Sequence, residues 1–412
     1  TNFFMKFKSL ILTLAVAVAT TATAQVKTGI EVLRDNGFAQ LKGKKVGLIT
    51  NPTGVDRNLK STIDILNEAE GVELKALYSP EHGVRGDITA GAKVEDYVDA
   101  TTGVQVYSIY GRTTKPTPEM LKGLDAIVYD IQDIGSRSYT FISTMGKAME
   151  AAAENDLEMV ILDRPNPLGG VRMEGCLVQD GFYSFVSQFP IPYVHGLTSG
   201  ELAQFLNENY LEKPCKLTVV KMKGWKRNMS FEDTGLPWVL SSPHIPQAWS
   251  CLFYPATGIA GELYSLNIGV GYTLPFELLA AEWIDKPELL AENLNKIGLK
   301  GVVFRPIYYK PYYGAQQGKD LRGVQIHIVD PVNAPLTLLQ FYFLQEAHKL
   351  WPDHDVFADT TKSRLNMFDK VCGRGDVRAK FCERWLVEDI LPIWNGDIDA
   401  FKKKVQKYLL YK

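Results

Sequence analysis

Five short runs of apolar, β-favouring residues lie between residues 44 and 165: "KKVGLIT" (44–50), "VELKALY" (72–78), "VQVYSIY" (104–110), "LDAIVYDI" (124–131) and "LEMVILD" (157–163). None alternates cleanly between apolar and polar residues, so each predicts a strand covered on both faces. Helical spacing predicts helices between them over 59–69, 118–124 and 139–154. The last of these carries Phe141, Met145, Ala148, Met149 and Ala152 on one stripe. Strands that alternate with helices and are buried on both faces build a Rossmann-like, doubly wound, mostly parallel α/β sheet.

Past residue 165 the pattern is less regular. A Pro-rich stretch (189–193) precedes "TSGELAQFLNENYL", where Thr198 or Ser199 caps a predicted helix, and "KLTVVKM" (216–222) predicts a sixth strand. "LPWVLSSPHIPQAWS" (236–250) predicts a long irregular connection. Beyond it come a predominantly helical stretch over 276–297, strands at "GVVFRPIYY" (301–309) and "GVQIHIVD" (323–330), and helices over 336–350 and from 381 to the end. A chain of 412 residues suits two or three domains. The expected division is a catalytic domain over 25–248 and a smaller α+β domain over 249–412 that completes a cleft.

The first residues predict export. Met5-Lys6-Phe7-Lys8 is basic, 10–19 is apolar, and Ala22-Thr23-Ala24 has the small-x-small form of a cleavage site, so a signal peptide is expected over 1–24 with an upstream extension at 1–4. The apolar run is too short for a membrane span, and stable membrane association is not expected. With 45 basic and 47 acidic side chains the protein lacks the cationic field that recruits nucleic acid. The five cysteines show no zinc spacing and fit at most two disulfides; buried thiols are the simpler expectation.

In an open parallel sheet, ligands bind beyond the carboxyl ends of the strands. All five runs are followed there by polar, Gly- or Pro-bearing segments: Asn51-Pro52-Thr53-Gly54, "SPEHGVR", Gly111-Arg112, "DIQDIGSRSYT" and "DRPNPLGG". No G-x-G-x-x-G, P-loop or G-x-S-x-G motif follows a strand, which removes the support for dinucleotide, nucleotide and α/β-hydrolase chemistry. What gathers instead is carboxylates: Glu81, Asp130, Asp133, Asp163, Glu174, and Glu201 or Glu262. With them come His82, Arg85, Arg112, Arg137, Tyr139, Arg164 and His195. Clustered carboxylates beside fixed cations can split their proton affinities, as glycoside hydrolysis requires. Tyr110, Tyr139 and Trp249 offer faces for sugars. Plainer roles compete. Asp130 and Asp163 can cap helices, Arg137 and Arg164 can serve as structural ion-pair partners, His195, His244 and His327 can be structural, and Asp130 with Asp133 can hold a metal alongside Glu81 or His82.

"SPEHGVRG", "DIQDIGSRSYT" and "LDRPNPLGG", followed by "MEGCLV", resemble the exo-β-N-acetylmuramidase NamZ family, formerly a domain of unknown function, over nearly the whole chain from about residue 29. The resemblance implies a glycosidase that removes N-acetylmuramic acid from the non-reducing ends of peptidoglycan fragments. It also implies a Rossmann-like domain that binds no nucleotide and a smaller C-terminal domain. Glu81 is then the principal catalytic carboxylate and Asp130 or Asp133 the second. Asn51, His82, Arg85, Arg137, Tyr139, Asp163, Arg164, Asn166, Glu174 and His195 are expected to bind substrate, with Arg137 or Arg164 on the lactyl carboxylate. No cofactor or metal is expected. A noncatalytic receptor for wall saccharides and a metal-dependent amidase or deacetylase are the competing readings.

Overall fold

Residue alternation within each apolar run decides which helices cover which face of the sheet. The computed structural model describes residues 25–86 and 95–412; the signal peptide expected over 1–24 lies outside the described residues. Seven strands, β1 (Lys44–Thr50), β2 (Val72–Ser79), β3 (Tyr97–Val98), β4 (Gln105–Ser108), β5 (Ala126–Asp130), β6 (Glu158–Leu162) and β7 (Lys216–Val220), form one sheet in the order β3-β4-β2-β1-β5-β6-β7. Every neighbouring pair is parallel except β3 with β4. The chain starts at β1 in the middle, builds outward through β2 to β4, then returns to the other side of β1 for β5, β6 and β7. That reversal puts a topological switch point between β1 and β5, where the following loops lead away in opposite directions.

On one face Val46, Leu48, Val128 and Val160 pack under Ile30 and Leu33 of α1 (Gly29–Asp35) and Ile63 and Leu66 of α2 (Thr62–Asn67). On the other, Ile49, Ile127, Tyr129 and Ile161 pack under Met145 and Met149 of α3 (Phe141–Glu154) and Leu202 and Phe205 of α4 (Ser199–Asn209). Each fully buried side chain of this kind contributes roughly 1.5–3 kcal/mol. Thr198 caps α4 in a reciprocal box with Glu201.

The second unit carries α5 (Ser250–Gly261), β8 (Leu278–Ala281), α6 (Pro287–Lys296), β9 (Val302–Tyr309), β10 (Leu321–Ile328) and then α7 (Leu339–Leu350), α8 (Lys362–Cys372), α9 (Asp376–Arg384), α10 (Val387–Asn395) and α11 (Ile398–Val405). Its antiparallel sheet runs β8-β10-β9. The chain end then crosses back: Phe401, Val405 and Tyr408 join the core around Phe205, and Tyr411 donates to Asp163 at 2.6 Å.

Three local expectations are corrected. Residues 118–124 form turns, not a helix; Tyr78 Oη takes up the Met120 carbonyl at 2.8 Å, and Gly123 reverses the chain at φ 79°. The stretch over 276–297 opens as β8, whose four residues are all buried and pair with β10, before Pro287 starts α6. The helical end of the chain is broken into separate helices, with Trp385 in the left-handed region at φ 55°. All five cysteines are free, and four of them are buried. Among the described residues no helix is long and apolar enough to cross a membrane.

Candidate active site

Hydrogen bonds tie the loops leaving β1, β5 and β6 into one rim. The Thr53 hydroxyl donates to Asn51 Oδ1 at 2.5 Å and accepts the Gln132 N–H at 2.8 Å. Gln132 Nε2 in turn donates to the carbonyls of Asp133 at 2.8 Å and Pro165 at 2.6 Å. Asn51 is thereby spent on its own turn, although its Nδ2 has no partner.

Glu81 follows β2 in a sharp reversal, with His82 at φ 74° and Gly83 at φ 82°, two successive left-handed residues. Half-buried, its carboxylate accepts from Tyr110 Oη at 2.8 Å, in the loop after β4, and from Thr140 Oγ1 at 3.2 Å, in the loop after β5. Thr140 stands at the N-cap of α3, yet its hydroxyl makes no capping bond to the helix. The positive end of the helix dipole thus faces a carboxylate instead of a self-contained cap. Burial, and then the Glu81 charge, push the Tyr110 phenol far up, so it stays a hydrogen donor.

Asp133 and His195 form a second, deeper group. Asp133 Oδ2 accepts the Gly135 N–H at 2.7 Å and lies 3.9 Å from His195 Nε2, while Oδ1 is buried without a partner. His195 Nδ1 accepts the Leu197 N–H at 3.2 Å, which puts the proton of the neutral ring on Nε2, toward Asp133. Tyr254 of α5 lies within the field of both carboxylates. Its hydroxyl is bonded to Ser138 Oγ at 3.1 Å, and its phenol is pushed far up by burial, with the Glu262, Glu81 and Asp133 charges adding. Tyr139 packs edge-on against Tyr254 at 5.5 Å and bonds Ser241 Oγ at 2.9 Å. His244, near His82, bonds Tyr313 Oη at 2.9 Å, and its pKa is lowered by burial and then by His82. Thr140, Ser138, Ser241 and Tyr254 did not stand out in the sequence; a hydroxyl or phenol has no spacing rule that marks it.

Several other expected site residues are engaged by protein groups. Asp130 is fully buried, bound by Arg164 at 2.5 and 2.8 Å and by the Thr62 hydroxyl at 2.5 Å, with Arg164 reaching on to the Val55 carbonyl. This ion pair fastens the β5 and β6 ends to α2. Asp163 accepts from Thr198 Oγ1, the Gly200 N–H and Tyr411 Oη, and burial pushes its carboxyl up to about 6. Asn166 shapes its own turn through Leu168 and Leu197. Glu174 binds Arg172 and the Thr337 N–H and hydroxyl, joining the two units.

Arg137 is the most fully engaged of them. Its five N–H groups go to Ser187 Oγ and to the carbonyls of Cys176, Ile191, Val371 and Cys372, at 2.7–3.2 Å, so nothing is left for a substrate carboxylate. The last two carbonyls end α8, where orphan acceptors and the negative end of the dipole favour a cation. Gly373 caps that helix at φ 86°, and a Cβ there would lie 2.8 Å from Arg137 Nη2.

Arg85 pairs with Asp99 at 2.7 and 2.9 Å. That pair holds the Asp99 carboxyl at about 2, below its ordinary 3.8, chiefly through the Arg85 bond. Because the folded value lies below the unfolded one, the contribution is present above about pH 4 and is lost as pH falls toward about 2. With Arg85 partly exposed, about 1–2 kcal/mol is at stake. Asp99→Asn is therefore expected to be less stable than the wild type at neutral pH but to lose less on acidification, as denaturant midpoints taken from about pH 5 to about pH 2 will read.

Among the described residues no three His, Cys, Asp or Glu side chains come together as a metal-binding group. The model for the N-terminal region of exo-β-N-acetylmuramidase NamZ matches residues 46–249, and that for its C-terminal region matches 252–411. A peptidoglycan β-N-acetylmuramidase NamZ of Bacillus subtilis (strain 168) is 46% identical over 387 residues, covering 94% of this chain and 92% of the relative. Crystal structures of two DUF1343 family proteins of Bacteroides fragilis NCTC 9343 superpose with TM-scores of 0.90 and 0.75 at 57% and 28% identity; each match covers 94% of this chain and 99% of the other. With both halves of the family pattern present in order on one chain, the protein belongs to the exo-β-N-acetylmuramidase NamZ family.

Proposed function

We propose that the protein hydrolyses the bond that links a terminal β-N-acetylmuramic acid residue to the rest of a peptidoglycan fragment, with Glu81 giving the proton to the leaving oxygen. One observation carries this reading. Of the expected carboxylates, Asp130, Asp163 and Glu174 are each bound by several protein donors, whereas Glu81 sits half-exposed at the carboxyl edge of the sheet with two hydroxyl partners and, among the described residues, no ion-pair partner. A carboxyl group so placed, half-open and held by two hydroxyls, is positioned to act on the leaving oxygen. Asp133 is the second carboxylate, oriented by the Gly135 N–H and standing beside His195. With Arg137 and Arg164 engaged, the lactyl carboxylate falls to Arg112, which is exposed two residues beyond Tyr110 and has no ion-pair partner among the described residues. Export to the compartment where wall fragments occur is supported by the basic, apolar and small-x-small succession of residues 5–24.

The test is product analysis by proton NMR on a disaccharide with N-acetylmuramic acid at its non-reducing end. Free N-acetylmuramic acid is expected. A β anomer appearing first marks a covalent or internally trapped intermediate, and an α anomer marks direct attack by water. Saturable binding without release overturns the glycosidase reading in favour of a receptor.

A further inference from the structure

We propose that a cleft of about 580 Å³ beside α3, lined by Thr114, Lys147, Glu150, Tyr183, Phe185 and Gln188, is a second saccharide subsite. It receives sugars on the leaving side of the scissile bond and makes longer glycan fragments better substrates. The assignment rests on the glycosidase reading above.

Three chain segments run from Glu81 to this cleft. The loop after β4 carries Tyr110, bonded to Glu81, and then Thr114 in the cleft wall. Helix α3 begins at Thr140, also bonded to Glu81, and brings Lys147 to the cleft. Positions seven apart share a helix face, and at 1.5 Å rise per residue they lie about 10 Å apart, a distance that spans the neutral N-acetylglucosamine next to the scissile bond. The third segment places the Phe185 ring 6.4 Å from that of Tyr110 and contributes Tyr183 and Gln188 to the same wall. Three independent pieces of backbone therefore link the surroundings of Glu81 to the cleft.

Its chemistry suits a neutral, hydroxyl-rich ligand. Lys147 Nζ binds both carboxylate oxygens of Glu150, at 2.9 and 2.8 Å, so the two charges cancel and leave little field for an ionic ligand. Tyr183 is 45% exposed and, with Phe185, offers ring faces to the C–H side of a sugar. The Gln188 carboxamide has both its oxygen and its nitrogen buried without a partner, and the neighbouring Ser184 hydroxyl is also unpaired. An unmet donor and an unmet acceptor at one wall match an acetamido group or paired hydroxyls, and meeting them favours the ligand that does so.

The test compares an alternating tetrasaccharide of N-acetylmuramic acid and N-acetylglucosamine, without peptide, against a chromogenic N-acetylmuramic acid glycoside. Wild type is expected to favour the tetrasaccharide in kcat/KM. Tyr183→Ala and Gln188→Ala are each expected to cut the tetrasaccharide-to-glycoside ratio about tenfold, mainly through KM. Equal losses on both substrates, or no length preference in the wild type, overturn the subsite; a wild type that cleaves neither substrate overturns the glycosidase reading instead. Titrating the tetrasaccharide into Glu81→Gln, with and without Tyr183→Ala, reads the contact as binding. Unchanged affinity there overturns the subsite whatever the rates show.

Discussion

Glu81→Gln is expected to lower kcat/KM on a disaccharide by about 10³-fold while leaving the fold intact, because the amide keeps the shape of the side chain, can accept from one of the Tyr110 and Thr140 hydroxyls and donate to the other, but has no acidic proton to give. The size of the loss depends on the leaving group. A sugar alkoxide must be protonated as it departs, whereas the phenolate of an aryl glycoside needs little help, so the same variant is expected to lose only about tenfold on a chromogenic substrate. A merely structural Glu81 predicts equal losses on both, and a nucleophilic Glu81 predicts that the aryl glycoside gains little. Near-wild-type turnover of the disaccharide by a folded variant removes Glu81 from the chemistry altogether. Tyr110 and Thr140 act by placing the carboxylate, and they come from loops after two other strands, so the site depends on the sheet order and not on any one loop.

That dependence explains what the sequence discloses and what it hides. The strands are legible because β1, β5 and β6 bury both faces, and continuous apolar runs of that kind have few other homes. The rim is legible because every run ends in Gly, Pro and polar residues, and parallel strands send those ends to one edge. Individual roles are not, because a charged residue after a strand reads the same whether it meets a ligand or a backbone carbonyl. Asp130 and Arg164 look like a site in one dimension and prove to be each other's partners 34 residues apart. Thr140 is invisible for the opposite reason: at an N-cap it reads as a routine helix start, and only the absence of the capping bond shows that its hydroxyl serves Glu81. Strand β8 fails as an expectation because four consecutive buried residues have no period to read.

The second large effect belongs to Arg137, and it is one of stability. Arg137→Met keeps much of the side-chain volume and removes five donors at once, leaving the carbonyls of Cys176, Ile191, Val371 and Cys372 buried without the partner that now joins them. Each such acceptor costs about 1–3 kcal/mol, and breaking a buried charged hub costs about 3–5 kcal/mol in all once neighbouring groups relax. Burial works against the guanidinium and lowers its pKa, so what keeps it in place is the convergence of carbonyls, two of them at the negative end of α8. Because Val371 and Cys372 lie in the second unit while Cys176 and Ile191 lie in the first, the loss is expected to loosen the two units from each other before either unfolds. Hydrogen exchange is expected to rise first in the last turn of α8 and around Cys176, with the amides of β1 and β5 still protected. Exchange that accelerates uniformly through the sheet, or a variant as stable as the wild type, would falsify the hub role. Arg137→Lys separates charge from geometry: one ammonium can meet at most three acceptors, so it is expected to recover only part of the loss.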